Sequence, residues 1–291
     1  MTWKRVATAA VLIPVVVGLV LFVSTAIVTM VLALVILLAL FEYFALGDAM
    51  GHRAYRLWTA ACALAVLFLQ WLNTAVRWGE FGGIVYPSRL VWILHRFFPR
   101  AEDGIFLFVI GIAVLTLATK RPIVEALPSA GISASGLLLI AFPLTYAIRL
   151  HALGREGPRL LLFTLVVIWA SDTVAYFAGR ALGKHPFAPH LSPKKTWEGA
   201  VAGFASCIAV AFAFAHFLPI PLTMLLGAAA VANVAGQAGD LVESAYKRSA
   251  GVKDSGALLP GHGGILDRID ALIFAIPVVW YYFVLLYPPN V

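Results

Sequence analysis

The chain has 291 residues, 62% of them hydrophobic and only 12% charged, with a formal net charge of +7. A mean hydropathy of +0.94 excludes an ordinary soluble domain, where roughly half the residues are apolar. The positive balance therefore reads as loop charge that sets topology and meets anionic headgroups, with no nucleic-acid partner. Apolar runs near or above the roughly 20 residues that cross a bilayer recur throughout. The fold class is all-α, a polytopic integral membrane protein of about nine transmembrane helices.

The predicted spans, in chain order, are 6–23, 26–46, 56–73, 104–118, 130–149, 159–180, 199–217, 220–246 and 268–287. Lys4 and Arg5 precede the first apolar stretch with no small-residue cleavage site after it, so it reads as a retained helix. The first two spans share one unbroken apolar run, too long for one helix, which calls for a tight turn near Ser24. The span at 104–118 is short, and eight spans is the alternative count. Residues 74–103 form the longest connection, rich in Trp, Phe, Tyr and Arg, and suit an interfacial segment. Cys62 and Cys207 fall inside spans and read as packing residues. With neither internal repeat nor hydrophilic linker, 1–291 reads as a single membrane domain. Residues 1–150 are the less informative part, and 159–287 carry the chemistry.

With nine spans and the N-terminus inside, fourteen of the 21 Lys and Arg residues lie on the cytoplasmic side, a bias in the expected direction. Under that topology the polar loops 181–198 and 248–266 share one face and can build one site.

Seven of the fourteen acids follow residue 159: Asp172, Glu198, Asp240, Glu243, Asp254, Asp267 and Asp270. An intramembrane carboxylate costs about 2.5–3.5 kcal/mol on insertion scales and needs a partner or a wet cavity. The 220–246 helix, about 40 Å long at 1.5 Å per residue, exceeds the hydrocarbon core, so its end must project into water or bend at Gly236 and Gly239. Asp240, Glu243, Ser244 and Lys247 recur at helical spacing on one face; a plain intrahelical ladder is the simpler account. Asp267 and Asp270 share a face at the start of the last span, where acids also serve as ordinary helix caps. They follow the glycine-rich turn at 261–264, which lets backbone approach a ligand. Two such carboxylate pairs facing each other would suit octahedral Mg²⁺ completed by water and phosphate oxygens.

The 184–198 loop carries Lys194 and Lys195, read either as topology-setting charge or as cations for a triphosphate or lipid headgroup. On the preceding helix, Asp172 is positioned to orient a lysine or meet substrate. His262, between glycines, is a turn residue or a substrate contact. His185 and His190 lack further ligands at zinc spacing. A transporter relaying cations through Asp172 and Asp240 is the competing class, though no repeat-related halves accompany it.

Ser244, Lys247, Arg248, Lys253, Asp254, Pro260, His262, Gly263, Gly264, Asp267, Arg268 and Asp270 together resemble the signature of the phosphatidate cytidylyltransferases, or CDP-diacylglycerol synthases. The upstream stretches SDTVAYFAGRALGK, SPKKTWEG and GDLVES are similar to that family too, and the likeness covers roughly residues 165–280. The resemblance implies conversion of CTP and phosphatidate to CDP-diacylglycerol and pyrophosphate in the inner membrane, with the site facing the cytoplasm. It implies a Mg²⁺ site held by Asp240 and Asp267 with Asp270 in support, and leaves a second, monovalent cation open. Lys247, Arg248 and Lys253 would bind phosphates, with Lys194 and Lys195 in second rank. A homodimer is compatible with the sequence and not required by it. The nearest alternatives are an ether-lipid CDP synthase and a CTP-dependent polyprenol kinase.

Overall fold

The computed structural model describes residues 2–78, 99–258 and 263–287. Among the described residues ten α-helices and one short hairpin run in the order α1 (Thr2–Phe22), α2 (Thr25–Ala49), α3 (Arg56–Trp78), α4 (Ala101–Ala118), α5 (Ala126–Ser135), α6 (Phe142–His151), α7 (Gly157–Leu182), β1 (Pro186–Ala188), β2 (Ser192–Thr196), α8 (Trp197–Phe214), α9 (Leu222–Ser249) and α10 (Leu266–Leu286). Among the described residues, eight helical stretches are long and apolar enough to cross a membrane, and a shorter apolar helix spans Ala10–Phe22. All nine expected spans thus correspond to helices. Most of the 74–103 connection falls outside the described residues.

The turn at Ser24 exists: α1 stops at Phe22, and the Ser24 carbonyl accepts from Ile27 N and Val28 N to start α2. The span expected at 130–149 is the later part of one helical stretch, Ile123–His151. Its middle widens into a π turn, Gly136–Ala141, opposite Leu40 and Phe44. A Cβ on Gly136 would meet those side chains at 3.2 and 3.1 Å. Hydropathy cannot register such a turn, because the residues remain apolar whether the helix closes every four or every five residues.

Two apolar cores meet at α6 and α10. One joins the end of α1 to α6–α10 around Phe163, Leu225 and Phe283; the other joins α2–α4, the π turn and α6 around Leu40, Phe108 and Leu137. The closest helix pair is α7 with α8, and small side chains explain it. Gly179 lies against Gly199, and Gly203 against Ser171, where an added Cβ would sit 2.9 Å from Ser171 Oγ. Small residues four apart on both helices let backbones touch, the usual source of affinity between helices in lipid. Deeper in the seam Asn233 of α9 donates to Ser171 Oγ at 2.5 Å and to Cys207 Sγ at 3.3 Å. Cys62 and Cys207 are both buried free thiols, consistent with packing.

Gly236 and Gly239 do not interrupt α9, which runs unbroken over 28 residues. They bring its neighbours close instead. A Cβ on Gly239 would come within 2.5 Å of the Asp270 carbonyl, and one on Gly236 within 2.7 Å of Ile168 Cδ1. Beyond α9, Gly251 adopts φ +69° and the Val252 amide returns to the Lys247 carbonyl at 2.9 Å, closing the helix with a left-handed glycine.

Candidate active site

The last turns of α9 and the first turn of α10 converge at one end of the bundle. Because Gly239 carries no side chain, α10 approaches closely enough for Asp240, Glu243 and Asp270 each to place one carboxylate oxygen within 4.8 Å of the others. Glu243 is 5% exposed. It forms an ion pair with Lys247, one helical turn on. Its Oε1 is buried and accepts no hydrogen bond among the described residues.

Asp172 of α7 lies within electrostatic range of Asp240, Lys195 and Arg268, and Asp270 within range of Asp240, Glu243 and Asp172. Together with Asp267, five carboxylates stand against Lys195, Lys247 and Arg268. The formal excess is two negative charges. Hard carboxylate oxygens at this spacing, one of them buried and unsatisfied, fit an oxygen-preferring divalent cation such as Mg²⁺.

Asp267, expected beside Asp240 at the metal, has different partners. Its Oδ1 accepts from Lys247 Nζ at 2.7 Å. Its Oδ2 accepts from the Ser255 amide at 3.1 Å and the Gly264 amide at 2.8 Å. Gly263, at φ +82°, supplies the left-handed backbone that the turn requires, and a Cβ there would stand 2.7 Å from Asp267 Oδ2. Asp267 therefore organises the loop before α10 and holds Lys247 against the acid cluster. The carboxylate that stands within 4.8 Å of those of Asp240 and Asp270 is that of Glu243.

A second buried carboxylate was not anticipated in the sequence. Glu42, near the end of α2, accepts from Ser255 Oγ at 3.1 Å, the Ile265 amide at 2.9 Å and the Leu266 amide at 2.8 Å. Those amides belong to the first turn of α10, whose donors have no partner within the helix. Gly256 and Gly264 leave room for the carboxylate, since a Cβ on Gly264 would lie 2.3 Å from Glu42 Oε2. The available signal was the lone acid within an apolar span, which needs a partner by the same rule that flagged Asp240.

The hairpin lies against this end of the bundle. Its strands are antiparallel, pairing Pro186 with Thr196 and Ala188 with Ser192. Thr196 Oγ1 caps α8 by accepting from the Gly199 amide at 3.2 Å. His185 Nδ1 meets Glu198 at 2.6 Å, and Phe187 packs edge-on against Trp197 at 4.6 Å. Lys195 reaches Asp240 as an ion pair. Arg248 ties the ribbon down, donating to the Leu191 carbonyl at 3.3 Å and to the Val252 carbonyl at 2.9 Å. The two loops expected to share a face do so.

Of the residues singled out in the sequence, Asp172, Lys195, Asp240, Lys247, Asp267 and Asp270 come together. Ser244 is buried on α9 beside them. Lys194 and Lys253 are exposed on the flanking hairpin and loop and form no ion pair among the described residues. His262 and Pro260 lie outside the described residues.

The chain is similar in sequence to known proteins. A model of the cytidylyltransferase family matches residues 3–286. The chain is 45% identical over 136 residues to the phosphatidate cytidylyltransferase of Haemophilus influenzae, covering 44% of this chain and 46% of that protein. It is 40% identical over 203 residues to the one from Bacillus subtilis, covering 66% and 75%. A Staphylococcus aureus phosphatidate cytidylyltransferase is 44% identical over 126 residues, covering 43% and 48%. The aligned stretch thus spans about half the Haemophilus and Staphylococcus relatives and three quarters of the Bacillus one.

Proposed function

The chain belongs to the cytidylyltransferase family, and from that membership we propose that it joins CTP to phosphatidate, giving CDP-diacylglycerol and pyrophosphate. A phosphatidate oxygen attacks the α-phosphorus of CTP, a new P–O bond forms, and the α–β bridging P–O bond breaks with its electron pair leaving on pyrophosphate. A phosphate monoester with a second pKa near 6 is already largely ionised at neutral pH, so the attack needs no general base. The chemistry asks for in-line positioning and for neutralisation of clustered negative charge.

The observation that carries the reading is the convergence of Asp240, Glu243 and Asp270 beneath a lysine-bearing hairpin. These three carboxylates would hold a divalent cation, which when bound supplies charge neutralisation and alignment at the phosphates. Asp267 positions Lys247 and the loop before α10, so that Lys247 faces the same space as the acids. Lys195, Lys194, Arg248 and Lys253 border that space and present cations to a triphosphate. Arg248 also fixes the hairpin through its carbonyl contacts.

We place this end of the bundle in the cytoplasm of a cell that holds the protein in its inner membrane. Fourteen of 21 Lys and Arg residues fall on that side when the helices alternate, and CTP is a soluble, charged substrate. The test is incubation of purified protein with α-labelled CTP, dioleoyl phosphatidate and Mg²⁺, followed by lipid extraction. Label in the lipid, formed together with unlabelled pyrophosphate and abolished by EDTA, is the expected result. Phosphorylated lipid together with free CDP would instead identify a kinase and overturn the assignment.

A further inference from the structure

A second polar feature lies at the same end of the bundle and takes no part in the acid cluster. Where α2 ends, residues 51–56 and the start of α3 enclose, with the end of α4, a cavity of about 1030 Å³. Three arginines line it, Arg53, Arg56 and Arg121, against a single acid, Asp48. Arg56 is ion-paired with Asp48. Arg121 is held in place by its surroundings: it donates to Ser129 Oγ at 3.1 Å and to the carbonyls of Arg53 and Ala54, and its guanidinium lies 4.9 Å from the centre of the Tyr55 ring. Arg53 is exposed, and its guanidinium meets no carboxylate among the described residues. The cavity therefore carries a net formal charge of +2 beside a fixed aromatic floor.

Leu57, Trp58, Ala61 and Leu115 give the cavity an apolar part of its lining. Leu57 is 89% exposed, and nearby Leu117 and Ile123 are 87% and 93% exposed. In a chain that spans a membrane, large side chains turned outward like this face lipid. The lining thus joins cationic and apolar side chains with a Tyr and a Trp, the residue types that concentrate where a bilayer meets water. Positive-inside charge alone would scatter arginines over a loop. Here one is fixed by two carbonyls, a hydroxyl and a ring, and a second is left without a counter-charge.

We propose that this cavity binds the phosphate headgroup of an anionic phospholipid, separate from the lipid that reacts at the acid cluster. Arginine's planar donors suit phosphate oxygens. The volume lies at the upper end of ordinary small-ligand pockets, which run to about 1,000 Å³, and accommodates a glycerophosphate with the start of an acyl chain along Leu57 and Leu115.

Native mass spectrometry of the full chain in detergent, titrated with dioleoyl phosphatidylglycerol or dioleoyl phosphatidylcholine, tests this. One phosphatidylglycerol should bind more tightly than any phosphatidylcholine. Arg53→Gln should weaken it about fivefold, the effect of one interfacial charge, and Arg53→Gln with Arg56→Gln about 25-fold. Asp240→Asn should bind it as the wild type does. Equal affinity for the two lipids, or undiminished affinity in the double variant, would overturn the proposal. Loss of binding in Asp240→Asn would assign the lipid to the acid cluster instead. Displacement by millimolar inorganic phosphate would make this a site for free phosphate and equally reject it. Should the double variant fail to fold, Arg53→Gln decides alone, because that side chain holds nothing else in place.

Discussion

Glu42 in the N-terminal half and Glu243 in the C-terminal half are each 5% exposed, and both stand near the same end of the bundle. Their surroundings are opposite. Glu42 accepts three hydrogen bonds, two from the free amides of α10 and one from Ser255, so the protein itself completes it. Glu243 has one ion pair and a buried oxygen that accepts no hydrogen bond among the described residues, with two further carboxylates within 4.8 Å. Leaving a buried acceptor unpaired costs about 1–3 kcal/mol, and more for a charged group. A carboxylate finished by its own fold is a fastener. One left unfinished, among others of its charge, is what the proposed cation site asks for.

Substitution can break this contrast. Glu243→Gln keeps the shape and removes the charge; turnover of CTP and phosphatidate should fall by at least about 100-fold while the melting temperature holds or rises, because repulsion with Asp240 and Asp270 is relieved. A variant with near-normal turnover would remove Glu243 from the cation site. Glu42→Ala should act the other way round, through the fold. It strands three buried donors, a loss of roughly 3 kcal/mol or more, visible as a lower melting temperature, with turnover falling because the start of α10 loosens. Unchanged melting in Glu42→Ala would show that water or other groups satisfy α10 equally well. Gly239→Ala sharpens the comparison by leaving every carboxylate in place and moving one helix. Its methyl would press on the Asp270 carbonyl, and we expect about a tenfold loss of turnover with a modest drop in stability, since misplacement by about 1 Å can cost as much as 100-fold. Full activity would mean that α9 and α10 need not touch there.

The membrane fold was legible because apolar length is written residue by residue: the run broken at Ser24, the span at 104–118 and the long α9 all read directly. The pairing of the 181–198 loop with the 248–266 loop was legible too, since alternating spans assign faces. Helical spacing put Asp240 beside Glu243 and Asp267 beside Asp270. It could not say which oxygens the backbone would claim. Asp267 lost its freedom to amides at Ser255 and Gly264, a consequence of the turn at Gly263 that spacing does not encode. Gly236 and Gly239 looked like hinges along the chain, whereas their use is sideways, toward Ile168 and Asp270. Glu42 was hidden by distance, its hydroxyl donor lying 213 residues away.

That separation has a consequence for how the chain is made. Helices enter the bilayer in order, so α2 is in place long before residues 255–266 emerge from the ribosome. Until they do, Glu42 has none of its three donors. Final docking of α10 supplies two of those donors and brings Asp270 to Asp240 and Glu243 in the same event. A product truncated before residue 255 would leave that acid without those donors permanently, a mark by which membrane proteases could tell unfinished copies from finished ones.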